Sequence, residues 1–147
     1  MQKIIERIRA RYNRFRGRPF WYVPYWTHTR VEYFGFDDVA KCVGPGWRDI
    51  LAKLTEKLFL LGWNGGLLQV KEKFGGLRFY YQNNISGPVV SEIANDVVEI
   101  AEYRATQACD QCGKYGKTRG TGWLVTLCDE HYKKYEEERS ERFHAVP

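Results

Sequence analysis

Residues 109–131 read CDQCGKYGKTRGTGWLVTLCDEH and contain two pairs of potential metal ligands. Cys109 pairs with Cys112 and Cys128 with His131, each across a two-residue spacer, and residues 113–127 separate the pairs. This spacing lets all four side chains turn toward one tetrahedral ion, and Gly113 suits the tight turn after the first pair. The pattern predicts one Zn²⁺ ion, with a structural role because four protein ligands leave no position for water.

The residues around these pairs predict the rest of a small zinc module over 108–147. Lys114 to Gly122 form a glycine-rich basic loop, Trp123 to Leu127 form a strand, and the second pair opens a C-terminal helix. The order of knuckle, hairpin and helix indicates a treble-clef-like or ribbon-like module. A segment of roughly 40 residues rarely buries enough apolar surface by itself, so we expect zinc to take the place of a core.

Residues 37–107 predict an α+β body that begins with a core helix. Gly44, Pro45 and Gly46 interrupt the chain before a helix over 47–61. Its apolar residues recur at the i, i+3, i+4, i+7 spacing of a buried helix face; they are Trp47, Ile50, Leu51, Leu54 and Leu58.

A β-hairpin and a second core helix complete the predicted body. Two short runs, 67–73 and 77–82, flank Phe74-Gly75-Gly76, whose glycines can supply the positive φ angles of a turn. We expect Val70, Phe79 and Tyr81 on the buried face. Pro88 suits a first helical turn. The helix that follows it to about Thr106 is marked by Val90, Ile93, Val97, Ile100 and Ala101.

Residues 1–36 form a basic and aromatic arm. Positions 1–30 hold eight basic residues and one acidic residue, a net charge of +7, whereas the whole chain carries +5 and the remainder therefore −2. The sequence predicts a basic amphipathic helix over 2–15, an extended aromatic segment over 19–36 and a short strand near Arg30 to Tyr33. Such an arm is typical of proteins that bind polyanions or acidic protein surfaces.

The composition favours a folded cytosolic protein. The 147 residues are 44% apolar and 16% aromatic, which is enough to build a core. No stretch approaches the roughly 18 consecutive apolar residues that cross a bilayer, and the charged N-terminus is not followed by the apolar segment of a signal peptide. A reducing compartment favours metal binding over disulfides for these cysteines.

The residue set argues against an enzyme. Lys114 to Thr126 contain no His, Asp or Glu for a treble-clef nuclease, and no His-x-Glu segment precedes the cysteine pair as in a zinc deaminase. His28 and His144 are the remaining histidines, and we interpret His28 as an ordinary buried or surface residue. Cys42 has no neighbouring His, and we predict a core thiol. We therefore expect a binding protein.

One resemblance gives a setting. The segment QVKEKFGGLRFY at 69–80, the cysteine pair, Gly122-Trp123 and the stretch Thr126 to His131 together resemble a family of small phage and prophage proteins. The resemblance covers roughly residues 44–132 and carries no assigned activity. It implies action in the cytoplasm of a bacterial host cell, where small accessory proteins often bind host enzymes, defence complexes or nucleic acid.

Two binding hypotheses follow. In the first, the arm and the basic loop neutralise phosphates of nucleic acid while exposed aromatic rings stack on bases. In the second, the same residues dock on a host or anti-phage defence protein as an inhibitor or adaptor, because Tyr, Trp and Arg dominate interface hot spots. The candidate residues are Arg7, Arg9, Arg11, Arg14, Arg16, Arg18, Trp21, Tyr22, Trp26, Lys114, Lys117 and Arg119.

Overall fold

The computed structural model describes residues 32–33 and 35–144 and has the predicted α+β architecture. The predicted helix over 2–15, and the aromatic segment apart from its last residues, lie outside the described residues. The elements are β1 (Glu32–Tyr33), α1 (Phe36–Ala40), a 3₁₀ turn (Pro45–Trp47), α2 (Arg48–Leu60), β2 (Gly66–Lys73), β3 (Gly76–Tyr81), α3 (Pro88–Ala105), β4 (Lys117–Arg119), β5 (Val125–Leu127) and α4 (Asp129–His144).

β1, β2 and β3 form an antiparallel sheet in that order. The short strand expected near residue 33 is β1, and the predicted hairpin is β2 with β3, in a register that pairs Val70 with Phe79. The turn differs in detail from the prediction. Its two positive φ angles belong to Phe74 (55°) and Gly75 (74°), whereas Gly76 begins β3. Consecutive positive φ angles at both central residues are typical of a type I′ turn.

α2 and α3 pack together, and α3 also packs on β3. Glu102 on α3 fixes this arrangement, because its carboxylate accepts the backbone N–H of Phe79 at 2.8 Å and pairs with Arg78 at 3.5 Å. The most deeply buried residues of the core come from the 3₁₀ turn, α2, the loop after α2, the sheet and α3. They are Trp47, Leu51, Leu54, Leu58, Trp63, Leu77, Phe79, Ala94 and Ala105.

The prediction of α2 is confirmed, whereas the predicted buried face of α3 is correct at Ala101 and wrong at Ile93 and Ile100. Ile93 is 44% exposed and Ile100 50% exposed, whereas Ala94, Val98, Ala101 and Ala105 face the core. Alanine lets the helix approach its neighbours closely, so the small residues occupy the contact and the larger isoleucines remain outside. Of the other predicted residues, Val90 and Val97 are partly buried and pack against the core, so the predicted face overlaps the buried one at its edge.

The zinc module follows the predicted order. A knuckle at 109–113 precedes the hairpin of β4 and β5, and α4 begins directly after Cys128. The helix α1 was not predicted, and part of the predicted basic loop is strand β4. No helix in the described part of the chain is long and apolar enough to cross a membrane.

Candidate metal centre

The structure brings Cys109, Cys112, Cys128 and His131 together in one cluster, with all four ligand atoms within 4.8 Å of one another. Cys112 Sγ lies 3.9 Å from Cys128 Sγ, and His131 Nδ1 lies 3.4 Å from Cys109 Sγ and 3.2 Å from Cys128 Sγ. A tetrahedral zinc ion with ordinary bond lengths separates two sulfurs by about 3.8 Å and a sulfur from a nitrogen by about 3.6 Å. The cluster therefore has the chemistry and close to the dimensions of a Cys3His zinc site, with Nδ1 as the histidine ligand.

The first ligand pair is fixed by its own backbone. The Gly113 N–H donates to Cys109 O at 2.8 Å, and the Cys109 N–H donates to Lys114 O at 2.7 Å. Gly113 has a φ of 74°, which an L side chain rarely adopts, so the expected tight turn is present. Burial by itself raises the pKa of Cys109, but backbone N–H donors of Cys128, Cys112 and Gln111 outweigh it and lower that pKa. The backbone donors thus favour the thiolate of Cys109, which is the form that a metal requires.

The knuckle rests on the segment Gly44-Pro45-Gly46, which the sequence indicated only as a break before α2. The Gly46 N–H donates to Asp110 O at 2.6 Å. A Cβ at residue 46 would overlap Cys109 O and lie 2.7 Å from Cys112 N. Gly46 is therefore required because the knuckle backbone comes into direct contact with it. The indole N–H of Trp47 adds a hydrogen bond to Ala108 O at 2.7 Å.

The second hairpin makes another contact between module and body. Thr126 on β5 is buried, and its hydroxyl bonds to Gly75 O in the tip of the first hairpin and to the Thr118 hydroxyl. On the same strand, Thr126 O accepts the Asp110 N–H at 3.0 Å. The cluster is thus supported by the body on one side and by the second hairpin on the other.

Arg119, predicted to bind phosphate or a partner, already has intramolecular partners. Its guanidinium pairs with Asp129 at 2.6 Å, donates to Leu127 O at 3.1 Å and lies 4.5 Å above the Tyr132 ring. The hydrogen bond from Arg119 holds the pKa of Asp129 below its usual range. This arrangement ties β4 to the first turn of α4, the helix that presents His131.

The other predicted binding residues are distributed unevenly. Lys114 and Lys117 are exposed on the zinc module, as are two ring residues that the prediction did not include: Tyr115 is 71% exposed and Trp123 65% exposed. The six arginines and three aromatic residues of the arm, together with His28, lie outside the described residues.

Cys42 is exposed in the turn after α1, so the prediction of a core thiol is wrong. The chain leaves the core at that turn, and the Cys42 thiol contacts Asp38 O at 3.6 Å.

The chain was compared with known proteins at three levels. No family model, no curated protein and no solved structure matches it. The site is therefore interpreted from its own geometry.

Proposed function

We propose that this chain is a zinc-stabilised binding protein rather than an enzyme, and that it binds nucleic acid. In this proposal the ion is structural, and Cys109, Cys112, Cys128 and His131 together hold the knuckle, the second hairpin and α4 in place. The basic arm supplies most of the phosphate contacts, and the second hairpin supplies a smaller contact surface.

The observation that carries the proposal is the surface of the zinc module. Lys114 and Lys117 are exposed there with Tyr115 and Trp123, and residues 111–128 contain no carboxylate. Exposed rings interspersed with lysines are typical of platforms on which bases stack while phosphates are neutralised. Because the chain outside the first 30 residues carries a net charge of −2, this surface and the arm are where polyanion binding is expected.

The non-enzymatic and phage elements of the proposal have separate support. Four protein ligands complete the coordination of the ion, which leaves no site for an activated water. The setting of a phage accessory protein in the bacterial cytoplasm depends on the resemblance of residues 69–80 and of the metal-binding segment alone.

The test is fluorescence anisotropy with labelled 30-mers of single-stranded DNA, single-stranded RNA and duplex DNA over a range of salt concentrations. We expect the logarithm of the affinity to fall linearly with the logarithm of salt concentration, with a slope near −0.7 per phosphate contact for single strands. Replacing the six arm arginines by alanine should remove most of that slope. Trp123→Ala should weaken binding by about 1–3 kcal/mol without changing the slope, because stacking is not ionic.

Two matched controls locate the interface. Lys114→Glu with Lys117→Glu should weaken binding, whereas Lys53→Glu with Lys57→Glu, the same charge change on α2, should not. Tyr103→Ala, also at a strongly exposed ring, is the control for Trp123→Ala. Absence of binding to all three probes at low salt would contradict the proposal. An equal loss of nucleic-acid affinity in the two double lysine variants would also contradict it.

The second candidate function is a protein-binding inhibitor or adaptor that acts on a host or anti-phage defence protein. An exposed apolar stripe along α3 favours it, since Val89, Ile93 and Ile100 are 67%, 44% and 50% exposed. Contiguous apolar surface on a small protein commonly marks an interaction site.

A further inference from the structure

A groove of about 490 Å³ lies between α2 and α3 and ends at the zinc knuckle. Each helix lines it with residues at the i, i+3, i+4, i+7 spacing of one helix face. Those of α2 are Ile50, Lys53, Leu54 and Lys57, and those of α3 are Val97, Ile100, Ala101 and Arg104. The start of α2 and the end of α3 both meet the knuckle, so the helices run antiparallel and the groove follows their length.

The groove has an apolar floor that continues beyond its lining. Leu54 and Ala101 are buried at its base, and Val97 packs on the core while remaining partly accessible. Ile100 is half exposed, and Ile93 continues the same face of α3 one turn beyond Val97. The lining residues of α2 lie between Arg48 and Lys57, so the groove runs for roughly 14 Å along that helix, or about two and a half helical turns.

The rim of the groove is cationic. Lys53, Lys57 and Arg104 are exposed along it, and Asp49 is the one carboxylate among the lining residues of the described chain. Within residues 35–144, none of these three cations forms an ion pair or a side-chain hydrogen bond. Arg48 is different, because it pairs with Asp37 and lies over the Phe36 ring. Three unpaired cations therefore flank an accessible apolar surface.

We propose that the groove between α2 and α3 binds an acidic amphipathic helix of a partner protein. Its apolar side chains would lie against Val97, Ile100 and Ile50, and its carboxylates would pair with Lys53, Lys57 and Arg104. A helix that inserts apolar residues at i, i+3, i+4 and i+7 is the usual occupant of a groove between two helices. This inference identifies the surface used by the second candidate function and is independent of nucleic-acid binding.

The charges and side chains of the groove disfavour other occupants. No Phe, Tyr or Trp lines it in the described chain, so it offers no ring for a base to stack on. The first 30 residues of this chain carry a net charge of +7 and would be repelled by the cationic rim. An acidic segment complements both the charge and the apolar floor.

The test uses synthetic 15-residue helical peptides and the full zinc-loaded protein labelled with ¹⁵N. The first peptide carries leucines at i, i+3, i+4 and i+7 flanked by glutamates; the second has lysines in place of the glutamates; the third is a scrambled form of the first. We expect the acidic peptide to shift amide resonances along the groove and to bind at least tenfold more tightly than either control peptide.

Variants make the test specific to the groove. Ile100→Glu should lower the affinity for the acidic peptide at least tenfold. Leu68→Glu is the control, because it makes a similar change at a residue of β2 that is 59% exposed, and it should leave that affinity within twofold. Both positions are exposed, so neither change should prevent folding. The double variant Lys53→Glu, Lys57→Glu should bind the lysine peptide more tightly than the acidic peptide, the reverse of the unmodified protein.

Four results would overturn the inference. They are the absence of groove shifts at millimolar acidic peptide, equal affinity for the acidic and lysine peptides, groove shifts produced by a single-stranded oligonucleotide, and self-association that Ile100→Glu abolishes. The last would show that a second copy of the chain occupies the groove. Nucleic-acid binding is measured separately, so failure of one proposal leaves the other testable.

Discussion

Gly46→Ala tests the contact between the metal centre and the body. The glycine lies against the knuckle, and a Cβ at this position would overlap Cys109 O and approach Cys112 N to 2.7 Å. Both neighbours are backbone atoms of the ligand loop, so a change of side-chain rotamer cannot relieve the overlap. Overpacking of this kind costs about 3 kcal/mol when the backbone has to shift.

That cost should appear mainly as lost zinc affinity. If the knuckle is ordered only with its metal, the overlap is present in the zinc-bound state and relieved in the metal-free state. About 3 kcal/mol then corresponds to a roughly 100-fold weaker zinc affinity. It also corresponds to a fall of roughly 10 °C in the melting temperature of the zinc-loaded protein.

The assays are competition with a chromophoric zinc chelator and thermal unfolding followed by circular dichroism. Gly62→Ala is the matched control, because Gly62 has a φ of 102° but no atom within 4 Å of an added Cβ. Its backbone strain should cost about 1–3 kcal/mol of stability and leave zinc affinity unchanged. If Gly46→Ala binds zinc within twofold of the unmodified protein and melts at the same temperature, the knuckle does not rest on Gly46.

Three further outcomes are expected. Chelation of zinc should lower the melting temperature and reduce helical circular dichroism as α4 loses its anchor, since metal at 1,000 times its Kd contributes about 4 kcal/mol; an unchanged melting curve would contradict a structural ion. Thr126→Val should cost about 1–3 kcal/mol in denaturant unfolding, because Gly75 O loses a buried donor, and a cost near zero would show that the second hairpin is not coupled to the body there. Ala94→Leu should lower the free energy of unfolding by about 1–3 kcal/mol because it overpacks a fully buried site, whereas Ile93→Leu should be nearly neutral. Equal effects of the two changes would show that Ile93, and not Ala94, faces the core.

The sequence predicts those parts of the structure that depend on local spacing. Cys109 and Cys112 form a recognisable pair because two residues separate them, and the same holds for Cys128 and His131. The hairpin was predictable from the two glycines at its turn and the start of β3 and from the apolar residues beside them. In each case the residues that cooperate lie within a few positions of one another.

Contacts between distant segments could not be predicted in the same way. Gly46 and Asp110 are 64 positions apart, and only the folded chain shows that the glycine is required by the knuckle. The sequence did contain one signal, since Pro45 is flanked by two glycines and the start of a helix does not require both. Ala94 and Ala105 on the buried face of α3 were missed because the helical pattern was taken mainly from the larger apolar residues, although alanine is often buried and permits close packing there.

The roles of charged residues were the least predictable. Arg119 reads as one of three cations in a basic loop, yet the turn between β4 and β5 brings it to Asp129 and Tyr132. Lys53, Lys57 and Arg104 are unremarkable in sequence, and they form a rim only because α2 and α3 pack side by side. Whether a charge is paired or available depends on the tertiary structure.

The central claim is that one zinc ion joins the knuckle to α4, and native mass spectrometry of the purified protein tests it most directly. The account predicts one zinc per folded chain, retained in Cys42→Ser and lost in the double variant Cys109→Ser, Cys128→Ser. A folded chain without metal, or a double variant that keeps its zinc, would contradict the claim.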